Sequence, residues 1–148
     1  MTFAWSEADF CHPVRIYWED TDAGGIVFYG NYLKFMERAR TEWLAALGFG
    51  QESLRVAGTG MFVVAETRLK YHQPAVLDDR LQVTVRLVEC GRVSMTFLQG
   101  VWRDGTLLTE GDIRIGWVQK SGDGRLKPGR IPADILAALP APVAASSH

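Results

Sequence analysis

Two carboxylates, Asp20 and Asp22, stand beside Glu19 and run straight into Ala23, Gly24 and Gly25. Tyr29, Gly30 and Asn31 follow, and a segment of helical periodicity begins there. A carboxylate in such a place can attack an electrophilic carbon, or take a proton from a water molecule that does so. A helix start carries unpaired N–H groups and a partial positive charge. Those groups can hold a carbonyl oxygen on which charge builds during the attack. The pairing points to acyl chemistry. Phosphate binding fits less well, because no Lys or Arg occurs between Arg15 and Lys34. Asp20 and Asp22 are both candidates for the reacting group. Taken alone, Asp22 would read more simply as a turn or capping residue. Gly24 and Gly25 allow close substrate approach or unusual dihedrals, and would serve a plain turn equally well.

These residues need elements to place them. Residues 14–18, β-branched and aromatic, read as a first strand leading into the acidic loop. Residues 31–47 read as a long helix, with Asn31 a cap and Gly48 a stop. Its apolar positions, among them Tyr32, Leu33, Phe35, Met36, Ala39, Trp43 and Leu47, cover more than one narrow stripe, so burial around much of the helix is expected. A loop or short helix is expected around residues 51–60. The period then changes to two. Ala65, Thr67, Leu69 and Tyr71 alternate with Glu66, Arg68 and Lys70; Leu81, Val83, Val85 and Leu87 alternate with Gln82, Thr84 and Arg86. Met95 and Phe97, then Ile113, Ile115 and Trp117, continue the alternation expected of half-buried antiparallel strands. Turn residues separate the runs: Pro74 with Asp78 and Asp79, Cys90 with Gly91, and Asp104 with Gly105. The order gives an α+β layer arrangement, one long helix packed on a five-stranded antiparallel sheet. Pro132 opens a short final helix ending at Leu139, and residues 140–148 read as a loose tail outside a single domain spanning 1–139.

Composition narrows the function. At 148 residues, 47% hydrophobic and 22% charged, the chain suits one ordinary globular core. A net charge of −1 gives no reason to expect nucleic-acid binding. No run is long and apolar enough to span a bilayer, and the first ten residues do not read as a signal peptide. Cys11 and Cys90 fall in no metal-like spacing and are expected as reduced thiols. His12, His72 and His148 form no nucleophile or metal pattern, and neither a glycine-rich phosphate loop nor a serine-centred elbow is present. No metal and no cofactor are expected.

The unbroken string from Tyr17 through Glu19-Asp20-Thr21-Asp22-Ala23-Gly24-Gly25, Tyr29-Gly30-Asn31-Tyr32 and on to Glu37-Arg38-Ala39-Arg40-Thr41-Glu42 resembles the signature of the YbgC-type acyl-CoA thioesterases. These belong with the 4-hydroxybenzoyl-CoA thioesterases in the hotdog superfamily. Looser similarity runs from about Pro13 to Leu139. The resemblance implies a hotdog fold, with dimers joined sheet edge to sheet edge and often paired into tetramers. It implies that Asp22 is the catalytic carboxylate, as nucleophile or general base, and that the Tyr29 backbone N–H polarises the thioester carbonyl. Many YbgC-type relatives carry His at the Tyr29 position, so here the chain is closer to the hydroxybenzoyl branch. Gly24, Gly25 and Asn31 are candidate substrate-binding residues beside Asp22 and Tyr29. Arg92 matches an arginine-rich turn that contacts the nucleotide in the hydroxybenzoyl relatives. Lys127, with Arg125 and Arg130, offers further basic groups for the phosphates of coenzyme A. The substrate implied is an acyl-CoA, coenzyme A being part of the substrate rather than a cofactor. Acyl carrier protein, which shares the phosphopantetheine arm, is the alternative carrier. A non-catalytic hotdog scaffold linked to the Tol–Pal envelope system is the alternative of a different class. The location implied is cytoplasmic, with peripheral association at the inner membrane left open.

Overall fold

The computed structural model describes residues 3–50, 52–54 and 60–143. The chain runs β1 (Phe10–Arg15), a 3-10 turn (Trp18–Asp20), α1 (Asn31–Ala46), β2 (Met61–Tyr71), β3 (Arg80–Cys90), β4 (Ser94–Arg103), β5 (Thr106–Lys120), β6 (Leu126–Pro128) and α2 (Ala133–Ala138). The strands form one antiparallel sheet in the order β1-β3-β4-β5-β2, with the short β6 pairing onto β5. The single long helix on an antiparallel sheet is the expected hotdog arrangement. The expected loop around residues 51–60 falls largely outside the described residues.

The core lies between α1 and one face of the sheet. Tyr32, Phe35, Met36, Ala39 and Trp43 recur at helical spacing and are buried against Leu81, Val83, Val85, Phe97 and Ile113. This is one face only. Leu33 is exposed and Leu47 lies just past the helix, so the expected burial around much of its circumference does not occur. The inward alternation of β3 holds: Leu81, Val83, Val85 and Leu87 are all buried. Its outward residues are not all solvated, however. Thr84 and Arg86 are buried too, because residues 3–9 cross the back of the sheet. Arg86 makes two 2.7 Å hydrogen bonds to the Asp9 carboxylate and one of 2.9 Å to the Ala4 carbonyl, with its guanidinium 4.8 Å from the centre of the Phe3 ring.

Two edges remain, and they differ. β1 carries Pro13 and is short, the usual way of blunting an edge. β2 has eleven residues, no proline, and exposed Met61, Val63 and Val64. A register shift between Val64 and Glu66 places Phe62 and Val64, then Thr67, Leu69 and Tyr71, on the helix side of the sheet. Ala65 therefore leaves the alternation that periodicity assigned to it. The first strand also starts and ends earlier than residues 14–18 suggested. After Arg15 the chain turns instead of extending, because the Asp20 carboxylate accepts the Tyr17 N–H at 2.9 Å and folds residues 18–20 into a 3-10 turn.

Candidate active site

Residues 20–31 form a strapped loop that delivers the acidic segment to the start of α1. Phe28 N–H donates to the Asp20 carbonyl at 3.0 Å, and Val27 N–H donates to the Ala75 carbonyl at 2.9 Å. Leu77 N–H donates to the Gly25 carbonyl at 3.0 Å, so both sides of the loop are tied down. Gly25 sits at φ +78°, which a side chain would resist, and closes the tight turn after Asp22. Asp22 itself is exposed. Its Oδ1 accepts the Gly24 N–H at 2.9 Å and the Ile26 N–H at 3.3 Å. One carboxylate oxygen is thus held by the turn, while among the described residues the other carries no hydrogen bond. The turn reading and the chemical reading are compatible, since the first aims the second.

Asn31 is not a cap. It is the first helical residue, and its side chain reaches back to donate to the Asp20 carbonyl at 2.8 Å. It is a clamp between helix and acidic loop. Asp20, with its carboxylate engaged by Tyr17 N–H, supports the same loop. Asn31 N–H donates to the Phe28 carbonyl and Leu33 N–H to the Gly30 carbonyl. Among the described residues, no hydrogen bond engages the Tyr29 N–H. It is a free donor at the positive end of a sixteen-residue helix.

The Tyr29 ring is exposed and belongs to an aromatic group that sequence reading did not assemble. Tyr71, at the end of β2, donates its hydroxyl to the Tyr29 carbonyl at 3.3 Å, and its ring lies 6.5 Å from that of Tyr29 and 5.6 Å from that of Tyr32. Burial, then the neighbouring Tyr32 and Tyr29, pushes the Tyr71 phenol above its ordinary value, so it stays a donor. Burial likewise raises the phenol of Tyr32, whose oxygen accepts the Ala75 N–H at 3.0 Å. Tyr29, Tyr32, Tyr71 and His72 line a cleft of about 250 Å³ at the helix start. The His72 ring is 3.1 Å from Glu110 at the rim of this cleft. Neither residue had a sequence signal, because the pairing of β2 with β5 is what brings them together.

The structure gathers Asp22, Gly24, Gly25, Tyr29 and Asn31 into one place, and leaves Arg92 and Lys127 elsewhere. Arg92 lies in the β3–β4 turn, where its carbonyl accepts the Ile131 N–H, and Lys127 lies in β6 opposite Gln119. Val93 bonds Trp117, whereas Tyr71 pairs with Thr109. Thr109 and Trp117 are eight residues apart on β5, so the basic end of the protomer sits roughly 26 Å along the sheet from the carboxylate end.

Residues 24–110 match the thioesterase superfamily. The chain is 38% identical over 130 residues to the acyl-CoA thioesterase YbgC of Haemophilus influenzae, covering 88% of this chain and 93% of that one. Among solved structures, a hypothetical protein of Aquifex aeolicus superposes with a TM-score of 0.81 at 28% identity, over 88% of this chain and 99% of the other. The 4-hydroxybenzoyl-CoA thioesterase of Pseudomonas sp. strain CBS-3 does so with a TM-score of 0.79 at 21% identity, over 88% and 99%, a likeness of fold. With a helix embraced by an antiparallel sheet and an acidic loop strapped to the helix start, the chain belongs to the thioesterase superfamily and has its hotdog fold.

Proposed function

We propose that the protein hydrolyses acyl-CoA thioesters, releasing a carboxylic acid and free coenzyme A. The observation that carries this reading is the exposed Asp22 carboxylate, fixed by its turn, on the same strapped loop as the unengaged Tyr29 N–H at the start of α1. Tyr29 N–H would donate to the thioester oxygen, on which charge builds as the carbonyl carbon becomes tetrahedral. Asp22 acts in one of two balanced ways. As a base it takes a proton from water while the water oxygen bonds to the carbonyl carbon; the carbon–sulfur bond then breaks and the thiolate leaves with that proton. As a nucleophile it forms a mixed anhydride and expels the thiolate, and water then cleaves the anhydride. Gly24 and Gly25 leave room for the acyl group, and Asn31 holds the loop. The reaction runs on protein groups and water.

Arg92 and Lys127 would bind the phosphates of coenzyme A from the partner subunit. Two β2 edges joined antiparallel about a two-fold axis set the Tyr71 end of one protomer against the Met61 end of the other. The basic end of the partner then flanks the carboxylate end. The 38% identity with a named acyl-CoA thioesterase supports the reaction class. A free-thiol assay across acyl-CoA and acyl-carrier-protein substrates tests the reading. Release from acyl-CoA is expected; release from acyl carrier protein alone would move the substrate to that carrier, and release from neither would leave a binding protein.

A further inference from the structure

A second cavity, of about 450 Å³, opens between α1 and β2, lined by Trp43, Phe62, Met95 and Ile115 together with Glu37 and Arg40. A guanidinium is an unusual group to find against such a wall. Arg40 donates to the Gln99 side chain at 2.9 Å, a neutral partner. Among the described residues it makes no ion pair within 4.0 Å; Glu37, one turn earlier, does not reach it. Loss of solvation pulls Arg40 below its ordinary value, and the charge of Glu37 opposes that only at a distance. The guanidinium is also held in place. Gln99 is fully buried on β4, and its amide N–H donates to the Met36 carbonyl of α1 at 3.0 Å. That bond turns its oxygen to Arg40. A partly buried cation whose remaining donors have no anion is costly, and its planar fork matches a carboxylate. The apolar wall suits the carbon chain that would carry one.

Phe62 and Ile115 put the cavity at the Met61 end of β2, so in the β2-joined dimer it flanks the carboxylate end of the partner. We propose that it recognises a carboxylate at the far end of an apolar acyl chain held there, with Arg40 as the specificity-determining residue and Gln99 positioning it. The enzyme would then favour thioesters of dicarboxylic acids over those of monocarboxylic acids of equal length. The inference rests on the thioesterase reading above, and its test separates the two. The measurement is kcat/KM for length-matched pairs, succinyl- with butyryl-CoA, glutaryl- with pentanoyl-CoA and adipyl- with hexanoyl-CoA. At the best-fitting length the diacid member is expected to lead by about tenfold or more, as for a charged hydrogen bond made in a shielded site. Arg40→Met should bring that ratio to about one, and Arg40→Lys should keep part of it. A ratio is independent of how much of a variant folds. No diacid preference at any length, or a preference that Arg40→Met leaves intact, overturns the proposal. If no acyl-CoA is hydrolysed at all, the thioesterase reading fails instead. Calorimetry with free glutarate then decides the cavity alone: binding that Arg40→Met abolishes supports it, and no binding overturns it.

Discussion

At the scale of single residues, Asp22 has two jobs that one substitution can separate. Its Oδ1 organises the turn by accepting two backbone N–H groups, and its other oxygen is available for chemistry. Asp22→Asn keeps an oxygen for the turn but removes the basic, nucleophilic charge. It should therefore retain the fold and lose turnover by about 10²–10⁴-fold. Matched melting temperatures with near-normal turnover would pass the role to another group, Asp20 first. The sequence made this site legible because the acidic loop and the helix start are contiguous, and contiguous residues stay together when the chain folds. Tyr71, His72 and Glu110 were not legible. They arrive through the pairing of β2 with β5, which periodicity detects only as two separate strands. Gln99 left a trace, a polar residue at an inward position between Phe97 and Val101, whose meaning emerges only with Arg40 and Met36 beside it.

At the scale of elements, the back of the sheet is the part that alternation misjudged. Thr84 and Arg86 read as solvent-facing, yet residues 3–9 cover them. Gly100 shows how closely. A Cβ there would come 2.7 Å from the Phe3 ring and would meet the Trp102 indole, whose N–H donates to the Thr84 hydroxyl at 3.1 Å. Phe3 and Trp102 are rings in contact, 5.4 Å between centres, and neither can swing away without exposing Arg86 and Asp9. Gly100→Ala should destabilise the fold by about 1–3 kcal/mol, the ordinary cost of overpacking. A shift of the urea midpoint, with KM and kcat of the folded enzyme unchanged, is the expected result. A variant as stable as the parent would mean that the N-terminal segment is not packed as described. The helix and strands of the core followed from periodicity because each buries one face against the other. The cover on the opposite face comes from a stretch with no period of its own.

At the scale of the whole molecule, the two edges of the sheet predict the assembly. Pro13 blunts β1, while β2 presents a long, apolar, unprotected edge on which Val63 and Val64 are exposed. Light scattering should report twice or four times the 16.5 kDa chain mass, and the pair Val63→Lys with Val64→Lys should shift it towards monomer. A wild-type monomer at working concentration would remove this reading and with it the shared site. The shared site makes a sharper prediction. The Tyr71 end of the sheet, where the acidic loop lies, and the Arg92–Lys127 end are roughly 26 Å apart, a separation set by the eight residues from Thr109 to Trp117. If each site takes its carboxylate from one protomer and its basic groups from the other, mixing two defective chains should restore function. One chain carries Asp22→Asn and is inactive. The other carries Arg92→Ala and Lys127→Ala and turns over with a raised KM, because a contact to a remote phosphate contributes about equally to ground and transition states. In the mixed dimer one site inherits both defects and the other inherits none. Refolding the two together should therefore produce a low-KM component absent from either parent, with an amplitude that follows the fraction of mixed dimers. A truncated acyl-pantetheine lacking the nucleotide should show no such gain in KM. If the mixture gives only the sum of its parents, Arg92 and Lys127 do not serve the neighbouring Asp22, and the phosphates of coenzyme A are held by other groups.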